Sequence, residues 1–294
     1  MDELLLLLMH QTHGLTINDK ELLALLKADT HDPRALLACL RSTAATNYVE
    51  ARPKWREESL RVLDESAQTG VRWSRVGLED YPRGWLQLSQ RPLVFSYQGE
   101  PCWRSNRLVA VVGSRTPMTE SRMWMQRELS LFLRRNDCGV VSGGARGIDQ
   151  WAHRLSLDER KPTVCVLPSG VLNPYPPGSG EVWDRIRSGG GCLLSTFALR
   201  EPMFRNNFPV RNRWIVGFSP AVFVVEANRR SGSALTAKLA KDEGREIWTL
   251  PVFPHSEQGL GNLDLISDGA SLMRNHLDLT TAWESCRLRP GFLE

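Results

Sequence analysis

The octapeptide SGGARGID, residues 142–149, directly follows the apolar run GVV at 139–141. Glycines let a backbone approach a phosphate closely, and a helix start offers N–H donors and positive potential. Ser142, Gly143, Gly144, Arg146 and Gly147 therefore read as an anion cradle for a nucleotide cofactor, a reactive phosphate or a nucleic-acid backbone. The same residue types recur elsewhere. Gly113, Ser114 and Arg115 follow LVAVV (108–112), Arg211, Asn212 and Arg213 form RNR, and Arg229, Arg230, Ser231, Gly232 and Ser233 follow AVFVV (221–225). Guanidinium groups match phosphate geometry, and hydroxyls add donors. Spread over several segments, these arginines and serines suit an extended polyanion better than one compact phosphate.

Other chemistries lack their parts. No Gly-Lys-Ser/Thr occurs, so a P-loop is excluded. The turn after the first strand, GSRTPM, lacks the second and third glycines of a dinucleotide fingerprint. No acidic cluster has metal-ligand spacing, and no cofactor is expected. Asp149 and His153, four residues apart, would share a helix face. An acid/base pair is one reading of them; a helix-start aspartate beside a packing histidine is the other. Glu226 reads as a loop anchor. A nucleotide-cleaving phosphoribohydrolase remains the alternative function, although SGGARGID lacks the threonine and glutamate of PGGxGTxxE. The six cysteines, Cys39, Cys102, Cys138, Cys165, Cys192 and Cys286, have no CxxC spacing and read as buried thiols.

Positioning these residues falls to a series of apolar runs: 108–112, 139–141, 163–167, 192–194, 221–225 and 247–250. Helix-compatible segments separate most of them. Near-continuous apolar strands imply a parallel sheet covered on both faces, hence a doubly wound α/β fold. In such folds ligands bind beyond the carboxyl ends of the strands, where nearly every Gly-, Ser- and Arg-rich segment falls. Before this core, residues 1–70 read as a helical module closed by Gly70, and 71–105 as a connector with two β-like runs around turn signals. The core spans 106–280, and 281–294 form a tail. The run LLLLLM near the start has an acidic flank and is too short for a bilayer span, so a cytoplasmic protein is expected. A net charge of +4 says little until the arginines are placed. The ten tryptophans are spread along the chain and read mainly as packing residues.

VAVVGSR, VVSGGARGIDQWAH, FPVRNRWIVGFS, VVEANRRSGSALTAKLAKDEGR and GLGNLDLISDGA occur in an order that resembles the DNA-processing protein A (DprA, also Smf) family. The resemblance covers residues from about 79 to 270. It implies an extended Rossmann fold that binds single-stranded DNA without established enzymatic activity. It also implies a homodimer, with its face in the 245–280 region, that helps load the RecA recombinase during natural transformation, partly by displacing or bypassing single-strand-binding protein. The implied pocket is Gly113, Ser114, Arg115, Ser142, Gly143, Gly144, Arg146, Gly147, Arg211, Asn212, Arg213, Arg230, Ser231, Gly232 and Ser233. Phe208 and Trp214, flanking RNR, are stacking candidates, with core packing as the competing reading of both. The chain departs from the family pattern at Val252, in a usual glycine position, and at Ser195-Thr196, where Ser-Glu is usual. Too few residues follow DGA for a winged helix, and the N-terminal helices match a sterile-alpha-motif-like module in position only.

Overall fold

The computed structural model describes residues 16–18, 20, 21, 24, 54–104, 107–254 and 256–287. Cys39 and most of the expected N-terminal helices lie outside them. Within 1–70 the described elements are strand β1 (Thr16–Ile17) and helix α1 (Trp55–Thr69). The β-branched pair of β1 favours extended backbone, and it pairs antiparallel with β3 (Arg91–Pro92). Helix α1 ends at Gly70, whose φ of 67° places it in the left-handed region.

The apolar runs form the expected strands: β5 (Leu108–Gly113), β6 (Gly139–Ser142), β7 (Thr163–Val166), β8 (Cys192–Ser195), β9 (Ala221–Glu226) and β10 (Glu246–Thr249). With β2 (Arg72–Arg75), β4 (Val94–Gly99) and β11 (Ser271–Leu272) they make one sheet, ordered β11-β10-β9-β5-β6-β7-β8-β4-β2. Pairing is parallel from β11 to β8 and antiparallel at β8–β4 and β4–β2. Strand order reverses at β5, so the chain runs outward through β6, β7 and β8, then returns to place β9 beside β5. That reversal puts the crevice of a doubly wound sheet above β5 and β9.

Helices α2 (Thr119–Trp124), α3 (Ser130–Arg135), α4 (Ile148–Asp158), α5 (Gly180–Ser188), α6 (Asn207–Gly217), α7 (Gly232–Asp242), α8 (Leu260–Ser267) and α9 (His276–Arg287) cover the sheet. A π turn, Met125–Leu129, joins α2 to α3. Alternation along β5 sorts the two layers. Val109 and Val111 pack with Phe132, Ile148, Ala152 and Trp283, whereas Leu108, Ala110 and Val112 pack with Trp85, Trp214 and Ala237.

The segment 71–105, read as a connector, supplies two strands of this sheet and the centre of one layer. Trp85 is fully buried, with ring centroids 5.1 Å from Phe95, 5.7 Å from Trp214 and 4.9 Å from Phe218. Its Nε1 donates to the Trp214 carbonyl at 2.9 Å. A Cβ on Gly217 would lie 2.5 Å from Trp85, so only glycine lets α6 come this close. Helix α1 docks as well: Val62 joins a cluster with Leu167, Trp183 and Leu193, and the Glu65 carboxylate meets Arg200 at 2.5 Å. Trp85→Ala is expected to cost about 3–5 kcal/mol, the usual range for emptying a core aromatic site. Urea unfolding should remain a single transition; an early, separate transition of the 71–105 segment would contradict this docking.

Candidate nucleic-acid interface

Above the crevice, the SGGARGID loop is held from beneath. Asp149, buried on the first turn of α4, accepts from the N–H groups of Gly143 (3.2 Å) and Ala145 (3.3 Å). The Gly113 N–H also bonds to it. The anion that this loop cradles is thus the protein's own carboxylate. Burial raises the pKa of Asp149, while Arg211 and these N–H donors act in the opposite direction. Arg211 is 3% exposed and donates to the Val166 carbonyl at 3.1 Å. Burial lowers its pKa and the Asp149 charge opposes that shift.

The glycines are needed for close approach. A Cβ on Gly143 would sit 1.5 Å from Arg211 Nη1. At Gly147, φ is +84° and a Cβ would meet the Ser114 carbonyl at 2.3 Å. That carbonyl accepts from Ile148 N at 3.0 Å, which joins the β5 and β6 loops.

Over this base lies the exposed chemistry. Phe208, on the first turn of α6, is half-buried, with the Arg115 guanidinium 5.2 Å and the Arg211 guanidinium 5.6 Å from its ring centroid. Pro209 follows it in the first helical turn, where a missing N–H costs no bond. Tyr175, from the loop after β7, meets Phe208 edge-on at 6.1 Å and 79°. Arg115 is exposed, and its charge opposes that of Arg211. The Asp149 charge acts on the inner cation, Arg211, whereas Arg115 stands exposed beside the Phe208 ring.

Several other expected residues fall elsewhere. Ser142 is fully buried and donates to the Val111 carbonyl at 2.6 Å, so it faces the sheet and not a ligand. Asn212 is 6% exposed, too enclosed to reach solvent. Arg213 turns toward Glu243, 3.7 Å away, beyond the last residue of α7 and hence at the opposite edge of the sheet. The helical period separates it from Arg211 by two residues and therefore by face. Trp214 is a core residue at 1% exposure, its Nε1 donating to Thr196 at 3.0 Å. Arg229 is engaged by Asp264 through two bonds of 2.8 and 3.0 Å. Ser114 Oγ accepts from Thr116 N at 3.2 Å, and exposed Arg146 donates to the Pro177 carbonyl at 3.3 Å. Gly144 packs against Cys165 and Trp183. On the β9 loop, Arg230 and Gly232 are exposed, Ser231 caps α7 by accepting from Ala234 N, and Ser233 is 7% exposed.

Two residues were missed. Tyr175 lies in the strand-end segment NPYPPGSG, where its signal is an aromatic ring among prolines and not a run of glycine, serine and arginine. Arg205 is exposed, and its carbonyl accepts from Phe208 N at 3.4 Å. Its spacing one turn ahead of Phe208 was the available signal. Glu226 is a loop anchor: its Oε2 accepts from Met118 N (3.0 Å) and Ser121 Oγ (2.6 Å). All five described cysteines are buried thiols outside any disulfide, and burial pushes those of Cys102 and Cys138 up to about 12. Among the described residues, no group of three His, Cys, Asp or Glu residues is placed to hold a metal ion. No described helix is long and apolar enough to cross a membrane.

Asp149 and His153 do not form an acid/base pair. His153 is fully buried, bonded through Nδ1 to Thr163 Oγ1 at 2.7 Å, and burial followed by the Arg211 charge depresses its pKa from 6.5 to about 3. The unfolded chain takes up this proton near pH 6.5 and the folded chain only near 3. Stability from the neutral histidine is therefore complete above pH 6.5 and declines as pH falls toward 3, by at most about 1.4 kcal/mol per pH unit. His153→Gln is expected to show a shallower loss between pH 7 and 5 in urea unfolding. An identical slope in both proteins would refute the assignment.

The DNA recombination-mediator protein A family model matches residues 74–284. Protein Smf of Synechocystis sp. is 34% identical over 215 residues, covering 72% of this chain and 54% of that protein. Protein Smf of Escherichia coli is 35% identical over 195 residues, covering 66% of this chain and 52% of that protein. The chain thus spans about half the length of these two relatives. DNA processing protein DprA of Streptococcus pneumoniae is 30% identical over 204 residues, covering 69% of this chain and 71% of that protein. The X-ray structure of pneumococcal DprA superposes with a TM-score of 0.70 at 26% identity, covering 84% of each chain. A solved structure of DNA processing protein A from Helicobacter pylori, described for its single-stranded DNA binding mode, gives 0.64 at 24% identity, covering 73% of this chain and 96% of that one. With the family model spanning residues 74–284 and relatives at 30–34% identity over more than two thirds of its length, this chain belongs to the DNA recombination-mediator protein A (DprA/Smf) family.

Proposed function

We propose that the protein binds single-stranded DNA across the strand-end rim and acts in recombination by helping to load RecA onto that strand. It acts by binding, not by bond-breaking chemistry. The observation that carries the reading is Arg115 set 5.2 Å over the half-buried Phe208 ring, with Tyr175 at the ring's edge. A flexible strand presents phosphates and unstacked bases together, and a cation beside an aromatic face meets both. Duplex DNA keeps its bases stacked and offers that ring nothing. Family membership supports the recombination role; homodimerisation and an encounter with single-strand-binding protein belong to the same proposal. Asp149 occupies the Gly143 and Ala145 amides of SGGARGID, which supports a binding role over phosphate capture by those two donors in a nucleotide-cleaving reaction.

The test is anisotropy of a labelled oligonucleotide, single-stranded against duplex, across a salt series. The expected result is a single-strand preference that weakens with salt. Arg115→Ala should lower affinity on the order of tenfold and reduce the salt slope by about 0.7, one phosphate contact on a single strand. Arg211→Ala should act first on folding, because its guanidinium is buried beneath the ring. No binding at low salt would refute the reading. RecA loading is read as strand exchange on single-strand-binding-protein-coated DNA, with light scattering reporting the dimer.

A further inference from the structure

We propose that Phe253 is a second stacking platform for an unpaired nucleobase, across the Arg115 loop from Phe208. The proposal rests on the single-strand reading above and extends it along the rim. Phe253 is 85% exposed, the most exposed large apolar side chain among the described residues. It stands in the loop after β10, at the carboxyl edge that carries the Arg115 and Arg230 loops.

This loop is braced on three sides. Asn262 accepts from Ala227 N (2.7 Å) and donates to the carbonyls of Val225 (3.0 Å) and Leu250 (3.2 Å), clamping the ends of β9 and β10 together. Val252 packs on Gly259, where an added Cβ would lie 2.9 Å from either Val252 methyl. Ser256 Oγ meets Met118 Sδ at 2.9 Å, which ties the loop to the one after β5. Ser256 N donates to the Phe253 carbonyl at 3.0 Å, and prolines stand at 251 and 254 in the sequence around Phe253. These contacts anchor the loop on either side of Phe253, whose side chain stands exposed.

Charge and spacing identify the occupant. The exposed cations Arg230 and Arg115 stand on the next two strand ends, so a polyanion is the chemistry the rim attracts. Adjacent strands are about 4.8 Å apart, which puts the Phe253 loop roughly 10 Å from the Arg115 loop. Phe208 lies on the β7 side of Arg115. A strand with phosphate on Arg115 can thus stack one base on Phe208 and another on Phe253. Such stacking tolerates any base, because every base has a π-face.

The experiment compares wild type, Phe253→Ala and Phe253→Trp by anisotropy on oligothymidylates of increasing length, with light scattering on each protein. Phe253→Ala should bind the longer oligonucleotides about 5- to 20-fold more weakly, with an unchanged salt slope because no phosphate contact is lost. The shortest oligonucleotide bound should show no difference, and Phe253→Trp should restore affinity. Equal affinity of wild type and Phe253→Ala at every length overturns the proposal while leaving the single-strand reading intact. A shift of Phe253→Ala from dimer to monomer with unchanged affinity assigns the ring to a subunit contact and also overturns it. Absence of binding by wild type overturns both readings.

Discussion

Asp149 lies where the ends of β5 and β6 meet the start of α4, and its carboxylate takes up backbone N–H groups from both strand ends. A buried carboxylate is costly unless hydrogen-bonded and offset by charge. Here the donors are loop amides and the offsetting charge is Arg211, reaching in from α6. Each requirement constrains the next. Arg211 fits only because residue 143 has no Cβ, and the β5 and β6 loops join closely only because Gly147 adopts a positive φ. Removing this carboxylate would leave the loop amides without their acceptor and the Arg211 charge without its counter-charge at the centre of the rim.

The exposed interface follows from that interior arrangement. Arg211 sits under Phe208 as a fixed positive base, and Arg115 covers the same ring from the solvent side. Two cations sharing one ring repel each other, and the buried carboxylate offsets only the inner one. Arg115 is thereby left with its charge exposed beside the ring. Rigid placement of this kind lowers the ordering cost of holding a flexible strand.

The opposite layer sets where α6 can lie. Trp85 bonds to the Trp214 carbonyl and packs on Gly217, so the segment before the parallel strands locates the helix that carries both Phe208 and Arg211. The 71–105 segment thus bears on the site through the packing and the hydrogen bond that locate α6. Glu226 and Asn262 do comparable work on the other flank, holding the loops after β5, β9 and β10 through buried hydrogen bonds.

The strands, the doubly wound class and the edge that carries the glycine- and arginine-rich loops were legible in the sequence, because burial on both faces demands continuous apolar runs and chain direction fixes which end a loop occupies. Phe208 was also legible as a stacking candidate, although choosing between stacking and packing required its neighbours. Tertiary structure alone decided which polar residues turn outward. Ser142 and Arg211 are spent on buried carbonyls and Arg213 on Glu243, while Arg115 remains at the surface. All four are equally polar in sequence. What separates them is the rotation of each Cβ about its strand or helix and the nearest unpaired acceptor, both of which come from elements distant along the chain. The internal anion was hidden for the same reason: SGGARGID names the donors and the acid together, but only the fold of its own turn brings Asp149 back beneath Gly143.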